Sequence, residues 1–482
     1  MKKILICLLV LCLAISCIAC SNEPDVEPEE TETKAPISED DPYAEYLTNL
    51  PQRNYGGEEF KILVTTAFDR YFDADEETTD VVEKETIERN MLVEDEYNVE
   101  LVYTAMDGNL SGQVAFATAI RTSVDGGTPY DLVVAQSYYT MPLATEGYMQ
   151  DMYGSEYLHL DQEWYHKGIN GSATINNHMY GASGDFVISQ IATALGLLYN
   201  KDMFVDLQYD FDPYQLVRDY QWTYAKLDET VTNVYQDLDN NWYVSDGDRF
   251  GITGPPQMAN ALLAGMGNRL ITFDEEGIPT LENYYGDRLI TSFEKLLTFF
   301  KKDSVTWYDA NATSLNMLVS NQTLFCCLGM GEMTSEPVRE STYKIGILPL
   351  PLYDETQTEY LSAMQRWEMF FIPQRADFER SCIITEYLNF VTYTEVIPLY
   401  WDHALLLRGA EAADDAEMMK LIRSTMYFDT VHIFMTYFGN MSDLAGNLIK
   451  LNNNILGSEW SKNKPTYQDG LDLLLEAYGL GE

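Results

Sequence analysis

Basic residues are scarce in this chain. Lysine and arginine together number 30 against 76 aspartates and glutamates, so the formal net charge is −46 over 482 residues. A field of this sign repels nucleic acid and anionic lipid headgroups, and it disfavours a polyanionic ligand. We therefore expect no nucleic-acid partner, and a neutral, hydroxyl-rich or cationic ligand fits better.

Signatures of catalysis are also missing. The sequence contains no Gly-x-Ser-x-Gly elbow, no His-Glu-x-x-His pair and no P-loop. Its 5 histidines are scattered without metal-ligand spacing. Paired carboxylates can serve a glycosidase, but 76 acidic residues produce candidate pairs by chance. The sequence predicts a protein that is not an enzyme, and a glycoside hydrolase stays as an alternative.

Cysteine is rare outside the N-terminus. Of the 7 cysteines, only Cys326, Cys327 and Cys382 follow residue 20. Cys326 and Cys327 are adjacent in an apolar, strand-like run, which is typical of small buried hydrophobes rather than of a disulfide or a metal site.

The N-terminus carries the pattern of an export signal. Lys2 and Lys3 precede an apolar run over residues 4–19, which is too short to span a bilayer as a folded anchor. The run ends at Ala19-Cys20-Ser21, which resembles a bacterial lipoprotein processing site. The resemblance implies lipidation of Cys20, with Cys17 as the alternative; plain secretion after cleavage is the other reading.

An acidic tether follows the predicted signal peptide of residues 1–20. Residues 21–57 contain several prolines among many acidic residues, so they bury too little apolar surface to fold, and like charges keep them extended. We predict a spacer that holds a folded body at the outer face of the cell membrane. The long tether and the lack of any outer-membrane feature suit a single-membrane, Gram-positive-type cell.

The first part of the body alternates strands and helices. Residues 60–64, 99–103 and 131–135 are apolar and read as strands, while 80–96 and 111–124 read as helices. The first helix would carry Val82, Ile87 and Met91 on one side, as an apolar face. This alternation predicts an α/β fold with a parallel sheet.

Ligands of open parallel sheets lie beyond the carboxyl ends of the strands. This rule places candidate ligand-binding residues after the first and third strands: Phe68, Asp69, Arg70, Gln136, Ser137, Tyr138 and Tyr139. Each of them could equally be an ordinary loop residue.

Residues 174–204 form a polar hairpin followed by an apolar run. We interpret this stretch as the first crossing from one lobe to another, along the wall of a cleft. Chains with such crossings close two lobes on a small ligand.

One acidic loop has the spacing of a calcium site. Oxygen-bearing side chains occupy positions 1, 3, 5, 9 and 12 of an EF-hand-like loop: Asp237, Asp239, Asn241, Ser245 and Asp248. Position 6 is Trp242 where such loops have Gly, and position 12 is Asp where they have Glu. The two departures favour a solvated acidic turn, with a structural calcium site as the alternative. No other cofactor is expected.

Several short stretches together resemble extracellular solute-binding proteins of family 1, the maltose-binding-like lipoproteins of ABC importers. The stretches EDEYNVEL (94–101), DLVV (131–134), NHMYG (177–181), LYNKDMF (198–204), IGILPLP (345–351) and NFV (389–391) occur in the order and spacing of that family. The match runs from residue 60 to the C-terminus. Asn98, His178 and Leu198 depart from the family's residues at their positions.

The resemblance implies a two-lobed, periplasmic-binding-protein-like (type II) α/β fold with the ligand cleft between the lobes. Lobe one would comprise residues 58–172 and 345–392, and lobe two residues 173–344 and 393–482. The resemblance also implies further cleft residues: Asp185, Phe186, Asn268, Glu332, Arg366, Trp367, Tyr400 and Trp401. Aromatic faces would stack on a sugar ring while polar groups bond its hydroxyls. Core packing is the alternative for Trp367 and Trp401, and a helix cap for Asp185.

By this resemblance the chain is a monomeric, lipid-anchored protein that captures a carbohydrate by hinge closure. Its partners would be ABC permease subunits and their ATPase. The alternative is a surface protein of the same fold that serves a sensor or binds a non-sugar ligand such as a peptide.

Overall fold

The computed structural model describes residues 42–282, 284–364, 368–405 and 412–480. Residues 1–52 and 53–482 form two separate units. In the first unit the described part holds a short helix, α1 (Ala44–Thr48). Both candidate lipidation sites, Cys17 and Cys20, and most of the predicted tether lie outside the described residues.

The second unit contains two sheets of four strands each. The strands of these sheets are β1 (Glu58–Thr65), β2 (Val99–Met106), β3 (Leu132–Gln136), β4 (Leu195–Asn200), β5 (Phe250–Thr253), β8 (Thr323–Gly329), β9 (Ile345–Leu348) and β10 (Glu368–Phe371). Two further short strands, β6 (Thr272–Phe273) and β7 (Pro279–Thr280), pair with each other as a small hairpin.

Helices pack around these sheets. They are α2 (Val81–Tyr97), α3 (Gln113–Asp125), α4 (Ser137–Thr145), α5 (Lys167–Ala173), α6 (Ile188–Thr193), α7 (Lys201–Asp206), α8 (Pro213–Arg218), α9 (Tyr224–Val231), α10 (Met258–Gly265), α11 (Asp287–Phe299), α12 (Asn311–Val319), α13 (Glu336–Arg339), α14 (Phe378–Val391), α15 (Ile397–Leu405), α16 (Ala412–Ser424), α17 (Thr430–Ile433), α18 (Met435–Phe438), α19 (Leu444–Lys450) and α20 (Leu456–Ala477). In the described ranges no helix combines the length and apolarity needed to cross a membrane.

The first sheet has the order β10-β3-β1-β2. β1 is parallel to β2 and to β3, with Ile62 opposite Tyr103 and Leu132, as the strand–helix alternation predicts. Its fourth strand, β10, runs antiparallel to β3 and comes from far along the chain. All five residues of β3 are buried, because helices cover both faces of a sheet of this kind.

The second sheet has the order β5-β8-β4-β9. β5 and β8 are parallel, while β4 runs antiparallel to both β8 and β9. Cys326 and Cys327 lie in β8 as buried free thiols, which confirms their interpretation as small hydrophobes.

The placement of β9 differs from the predicted lobe boundary. The prediction assigned residues 345–392 to lobe one, but Leu198 of β4 pairs with Ile347 of β9 in the second sheet. β9 therefore completes the second sheet, and this part of the chain reaches the first sheet only at β10.

The inner face of α2 also differs from its prediction. Val82 is buried, but Met91 is 56% exposed, and the fully buried residues of this helix include Arg89. Arg89 is satisfied there because its guanidinium donates to the carbonyls of Tyr71 and Phe72, at 3.2 and 3.1 Å. The apolar pattern cannot reveal a buried cation of this kind.

Three segments carry the chain between the two sheets. The first leaves Ala182, which bridges to Phe370 of β10, and enters β4 through α6. The second joins β9 to β10. The third follows α14 through a π-helical turn, Thr392–Val396, to α15. A π turn inside a helix often marks a functional site.

A buried carboxylate in the first segment pairs with an arginine that follows the third segment in the chain. Asp185 is fully buried, and Arg423 of α16 donates from Nε to its Oδ1 at 3.1 Å and from Nη2 to its Oδ2. His166 Nε2 lies 2.9 Å from the same Oδ1. The Arg423 guanidinium also lies 5.3 Å from the ring centroid of Tyr393, in the π turn.

We expect Asp185→Asn to lower the free energy of unfolding by about 3–5 kcal/mol, because it leaves the largely buried Arg423 without its counter-charge. Chemical denaturation of the folded body measures the change. The matched control is Glu146→Ala, which breaks an exposed ion pair with Arg121 and should cost less than about 1 kcal/mol. A stable Asp185→Asn protein that has lost ligand binding would instead assign Asp185 to the ligand site.

Candidate functional site

A cleft opens where β1 and β8 end. Its volume is about 840 Å³, within the range of small-molecule sites. One set of lining residues comes from the 3-10 turn after β1, Thr66–Tyr71, and from the start of α2. The other comes from the turn after β8, Met330–Thr334, and from neighbouring loops. The cleft thus lies between elements that follow strands of both sheets.

Four predicted residues line this cleft: Phe68, Arg70, Glu332 and Tyr400. Phe68 stacks on Tyr71, with ring centroids 6.2 Å apart and an interplanar angle of 18°. Arg70 lies over the Tyr71 ring at 4.7 Å from its centroid. Tyr400 is almost fully buried, and its environment raises the pKa of its hydroxyl well above the usual value, mainly through burial.

The turn that carries Glu332 is closely packed. A Cβ on Gly331 would lie 2.9 Å from the carbonyl oxygen of Ala192 and 3.0 Å from the hydroxyl of Tyr400. Only glycine allows this approach without displacement. Glu332 is therefore presented to the cleft on a fixed backbone.

Other predicted residues lie elsewhere. Asp69 accepts the backbone N–H of Arg70 at 2.9 Å, so its carboxylate is used within the turn. Gln136 is buried in β3 opposite Glu368, and Tyr138 and Tyr139 lie in α4 immediately after that strand. Because the chain turns helical at once, Tyr139 packs on Phe116 of α3 rather than extending into an open loop.

The candidates that the family resemblance implied are likewise divided between the cleft and other places. Asp185 holds the ion pair with Arg423, and Phe186 is fully buried in edge contact with Phe72 at 5.2 Å. Asn268 lines a different, smaller pocket of about 150 Å³. Trp401 is buried against Tyr400. Arg366 and Trp367 lie outside the described residues.

Several lining residues were not among the predicted ones. They are Tyr71, Asp80, Val82, Glu83, Ala192, Thr193, Gln257, Asp309, Asn311, Thr334, Ser335 and Arg339. The rule on strand ends could have found Asp80 and Glu83, because α2 begins at the same edge of the sheet as the end of β1. Predicting the lining residues that follow β5 and β8 would have required the strand order of the second sheet.

The acidic loop brings its carboxylates together. Oxygens of Asp237, Asp239 and Asp248 lie within 4.8 Å of one another. Asp237 accepts the backbone N–H of Trp242 at 3.1 Å, and Trp242 has a φ of 68° at the position where such loops have glycine. Asp239 Oδ2 accepts from Asn241 and from Ser245, both at 2.8 Å. Calcium binding stays a prediction, with the solvated turn as its alternative.

No family model and no curated protein sequence matches this chain. Solved structures do match. An ABC substrate-binding protein from Listeria monocytogenes in complex with cycloalternan covers 88% of this chain and 99% of its own, at 12% identity and a TM-score of 0.52. A cyclo/maltodextrin-binding protein complexed with maltotetraose covers 88% and 98%, at 12% identity and a TM-score of 0.55. A solute-binding protein from Thermotoga lettingae bound with α-D-tagatose covers 86% and 100%, at 11% identity and a TM-score of 0.52.

At so low an identity, these structural matches establish a shared fold and nothing more. The chain has the two-lobed α/β fold of ABC substrate-binding proteins, which confirms the predicted fold class and agrees with the resemblance to family 1.

Glu332 gives the stability of the unliganded protein a pH dependence. Burial raises the pKa of its carboxyl, opposed in part by a hydrogen bond from Ser335. The carboxyl of Glu332 therefore has a higher pKa in the folded state than in the unfolded state. Stability falls as the pH rises from the unfolded pKa to the folded pKa, because the folded protein must then ionise a partly buried group. We expect Glu332→Gln to raise the unfolding midpoint at pH 7 and not at pH 4. The control is Glu336→Gln, at an exposed position on α13. Equal gains at both pH values would contradict this account.

If the crowded carboxylates of the acidic loop bind calcium, the ion should raise the unfolding midpoint, since Ca²⁺ favours oxygen ligands of this kind. Differential scanning calorimetry with calcium and with chelator measures the difference. Asp239→Asn should abolish the calcium effect, and Asp274→Asn, in the exposed turn before β7, should retain it. An unchanged midpoint in millimolar calcium would establish the solvated turn.

Proposed function

We propose that this chain captures a carbohydrate in the cleft between its two sheets. The observation that carries the proposal is the composition of that cleft. Aromatic side chains (Phe68, Tyr71 and Tyr400) share it with carboxylates, amides, hydroxyls and guanidiniums. Sugars need this combination, because an aromatic face packs on the apolar side of a ring while polar groups exchange hydrogen bonds with its hydroxyls.

The fold supports the same proposal. The neighbours described above were solved with cycloalternan, maltotetraose and tagatose, and each covers nearly all of its own length in the match. The cleft lies between lobes joined by crossing segments, so ligand binding would be coupled to hinge closure. The chain would bind and release its ligand unchanged.

The cellular role completes the proposal. Cys20, or Cys17 in its place, would carry a lipid that holds the protein at the outer face of the cell membrane. The captured sugar would pass to ABC permease subunits driven by their ATPase, with the binding protein acting as a monomer. Service to a sensor, or a peptide ligand, remains the alternative. The excess of acidic residues in the sequence suits a neutral or cationic ligand over an anionic one.

A thermal-shift screen of the body against mono- and oligosaccharides tests carbohydrate capture. A ligand at a hundred times its dissociation constant should add about 2.7 kcal/mol to the stability. We expect Phe68→Ala to weaken binding of the ligand so identified by about tenfold, because the ring loses its stacking contact. The matched control is Phe273→Ala, on the hairpin strand β6, away from the cleft.

Two outcomes would contradict the proposal. Folded protein that no saccharide stabilises would favour a peptide or another non-sugar ligand. A saccharide that binds equally well to wild type and to Phe68→Ala would place the sugar outside this cleft.

A further inference from the structure

The charged groups of the cleft are mostly acidic. Four carboxylates line it against two guanidiniums: Asp80, Glu83, Asp309 and Glu332 against Arg70 and Arg339. The net charge of the whole chain, −46, has the same sign. A cleft lined mainly by one sign of charge concentrates ligands of the opposite sign.

Two of these carboxylates already have donors within the protein. Asp80 Oδ1 caps α2 by accepting the backbone N–H groups of Val82 at 2.9 Å and Glu83 at 3.2 Å. Glu83 accepts a hydrogen bond from Thr78, and its other oxygen lies 3.7 Å from Arg70 Nε. Arg70 is in turn engaged by Glu83 and by the ring and hydroxyl of Tyr71. In this half of the cleft both carboxylates therefore have donors and the guanidinium has an acidic partner.

The remaining acidic residues differ in burial. Asp309 is exposed to water at the cleft, as is Arg339, so solvent screens both charges. Glu332 is the partly buried one, and within the described ranges no lysine or arginine forms an ion pair with it. Burial also raises the pKa of its carboxyl. Taking a carboxylate out of water without a counter-charge is costly.

We propose that the ligand of this cleft carries a basic nitrogen, as an amino sugar or an oligosaccharide containing one, and that Glu332 is the residue that selects it. This inference rests on the proposed function, because it assigns the class of carbohydrate that the same site binds. A protonated amine supplies a hydrogen bond together with the positive charge that Glu332 lacks among the described residues, whereas a neutral hydroxyl supplies only a hydrogen bond. Charge-assisted hydrogen bonds are about twice as strong as neutral ones.

The neighbouring side chains fit the same ligand. Tyr400 lines the cleft, and its hydroxyl is close to the Gly331–Glu332 turn. The faces of Tyr and Phe rings attract cations as well as sugar rings. A carboxylate sugar would meet the excess of acidic groups in this cleft, and one of its two lining cations, Arg70, is already engaged by Glu83 and Tyr71.

The test uses ligands that differ only in one substituent. Oligomers of β-1,4-linked glucosamine, N-acetylglucosamine and glucose share a backbone and present an amine, an amide or a hydroxyl at one carbon. Galactosamine, N-acetylgalactosamine and galactose, as monosaccharides, extend the comparison to another ring configuration. Calorimetric titration at pH 6.5 measures each affinity, for wild type, Glu332→Gln, Glu332→Asp and the exposed control Glu336→Gln.

We expect wild type and Glu336→Gln to bind an amino ligand roughly tenfold or more tightly than its hydroxyl and N-acetyl counterparts. Glu332→Gln should bind the amino and hydroxyl ligands equally, while Glu332→Asp, which keeps the charge, should retain part of the preference. Added salt should weaken the amino ligand more than the neutral one.

Equal or better binding of neutral sugars by wild type would overturn this inference and leave carbohydrate capture standing. An amino preference that survives in Glu332→Gln would also overturn it, because another group would then be the selector. If no saccharide of either class binds to the folded protein, both this inference and the proposed function fail.

Discussion

The ion pair between Asp185 and Arg423 joins parts of the chain that are far apart in sequence. A fully buried carboxylate is tolerated only when charge and hydrogen bonds compensate its lost hydration. Arg423 provides the charge, and His166 adds a contact at 2.9 Å. The same arginine donates to the carbonyl of Glu163 at 2.8 Å and covers the ring of Tyr393 in the π turn. The first crossing segment, α16 and the third crossing segment thus share one buried cluster.

This cluster gives the cleft its geometry. α6 follows Asp185 and brings Ala192 and Thr193 to the cleft, while the π turn leads into α15 and so positions Tyr400. Gln190, in α6, accepts a hydrogen bond from the Ser183 hydroxyl at Oε1, which also lies 2.9 Å from His166 Nδ1. Its Nε2 donates to the carbonyl of Glu368, so the start of β10 joins the same cluster. The proposed hinge motion would bend segments whose ends are fixed at this cluster.

Local patterns in the sequence predicted the first sheet well, because short apolar strands and amphipathic helices alternate there with little insertion. The boundary of lobe one that the family resemblance implied does not hold for β9, and local patterns could not correct it, because a strand of four buried residues looks the same whichever sheet it joins and its partner β4 lies about 150 residues earlier. Local patterns failed for the inner face of α2, where Arg89 replaces an apolar residue by using loop carbonyls. Non-local hydrogen bonds of this kind leave no periodic signal.

The candidate site shows the same division. The rule that ligands lie beyond strand ends correctly placed Phe68 and Arg70 at the cleft, because β1 ends at the edge of a parallel sheet. The same rule did not hold for Tyr139, because α4 begins directly after β3 and turns that side chain into the core. Asp185 looked like a ligand residue from its position in the crossing. Its counter-ion, Arg423, follows 238 residues later, so only the folded chain shows the pairing.

Closure of the cleft on a saccharide is the central claim, and a distance across the cleft tests it most directly. Lys84 on α2 and Glu336 on α13 are both exposed, and they lie beside lining residues from the two sides. The native cysteines of the body are buried, so spin labels can be placed at these two positions. Double electron–electron resonance, with and without the saccharide found by thermal shift, measures the separation. We predict a shorter and narrower distance distribution with ligand; the same distribution at saturating ligand would contradict the account.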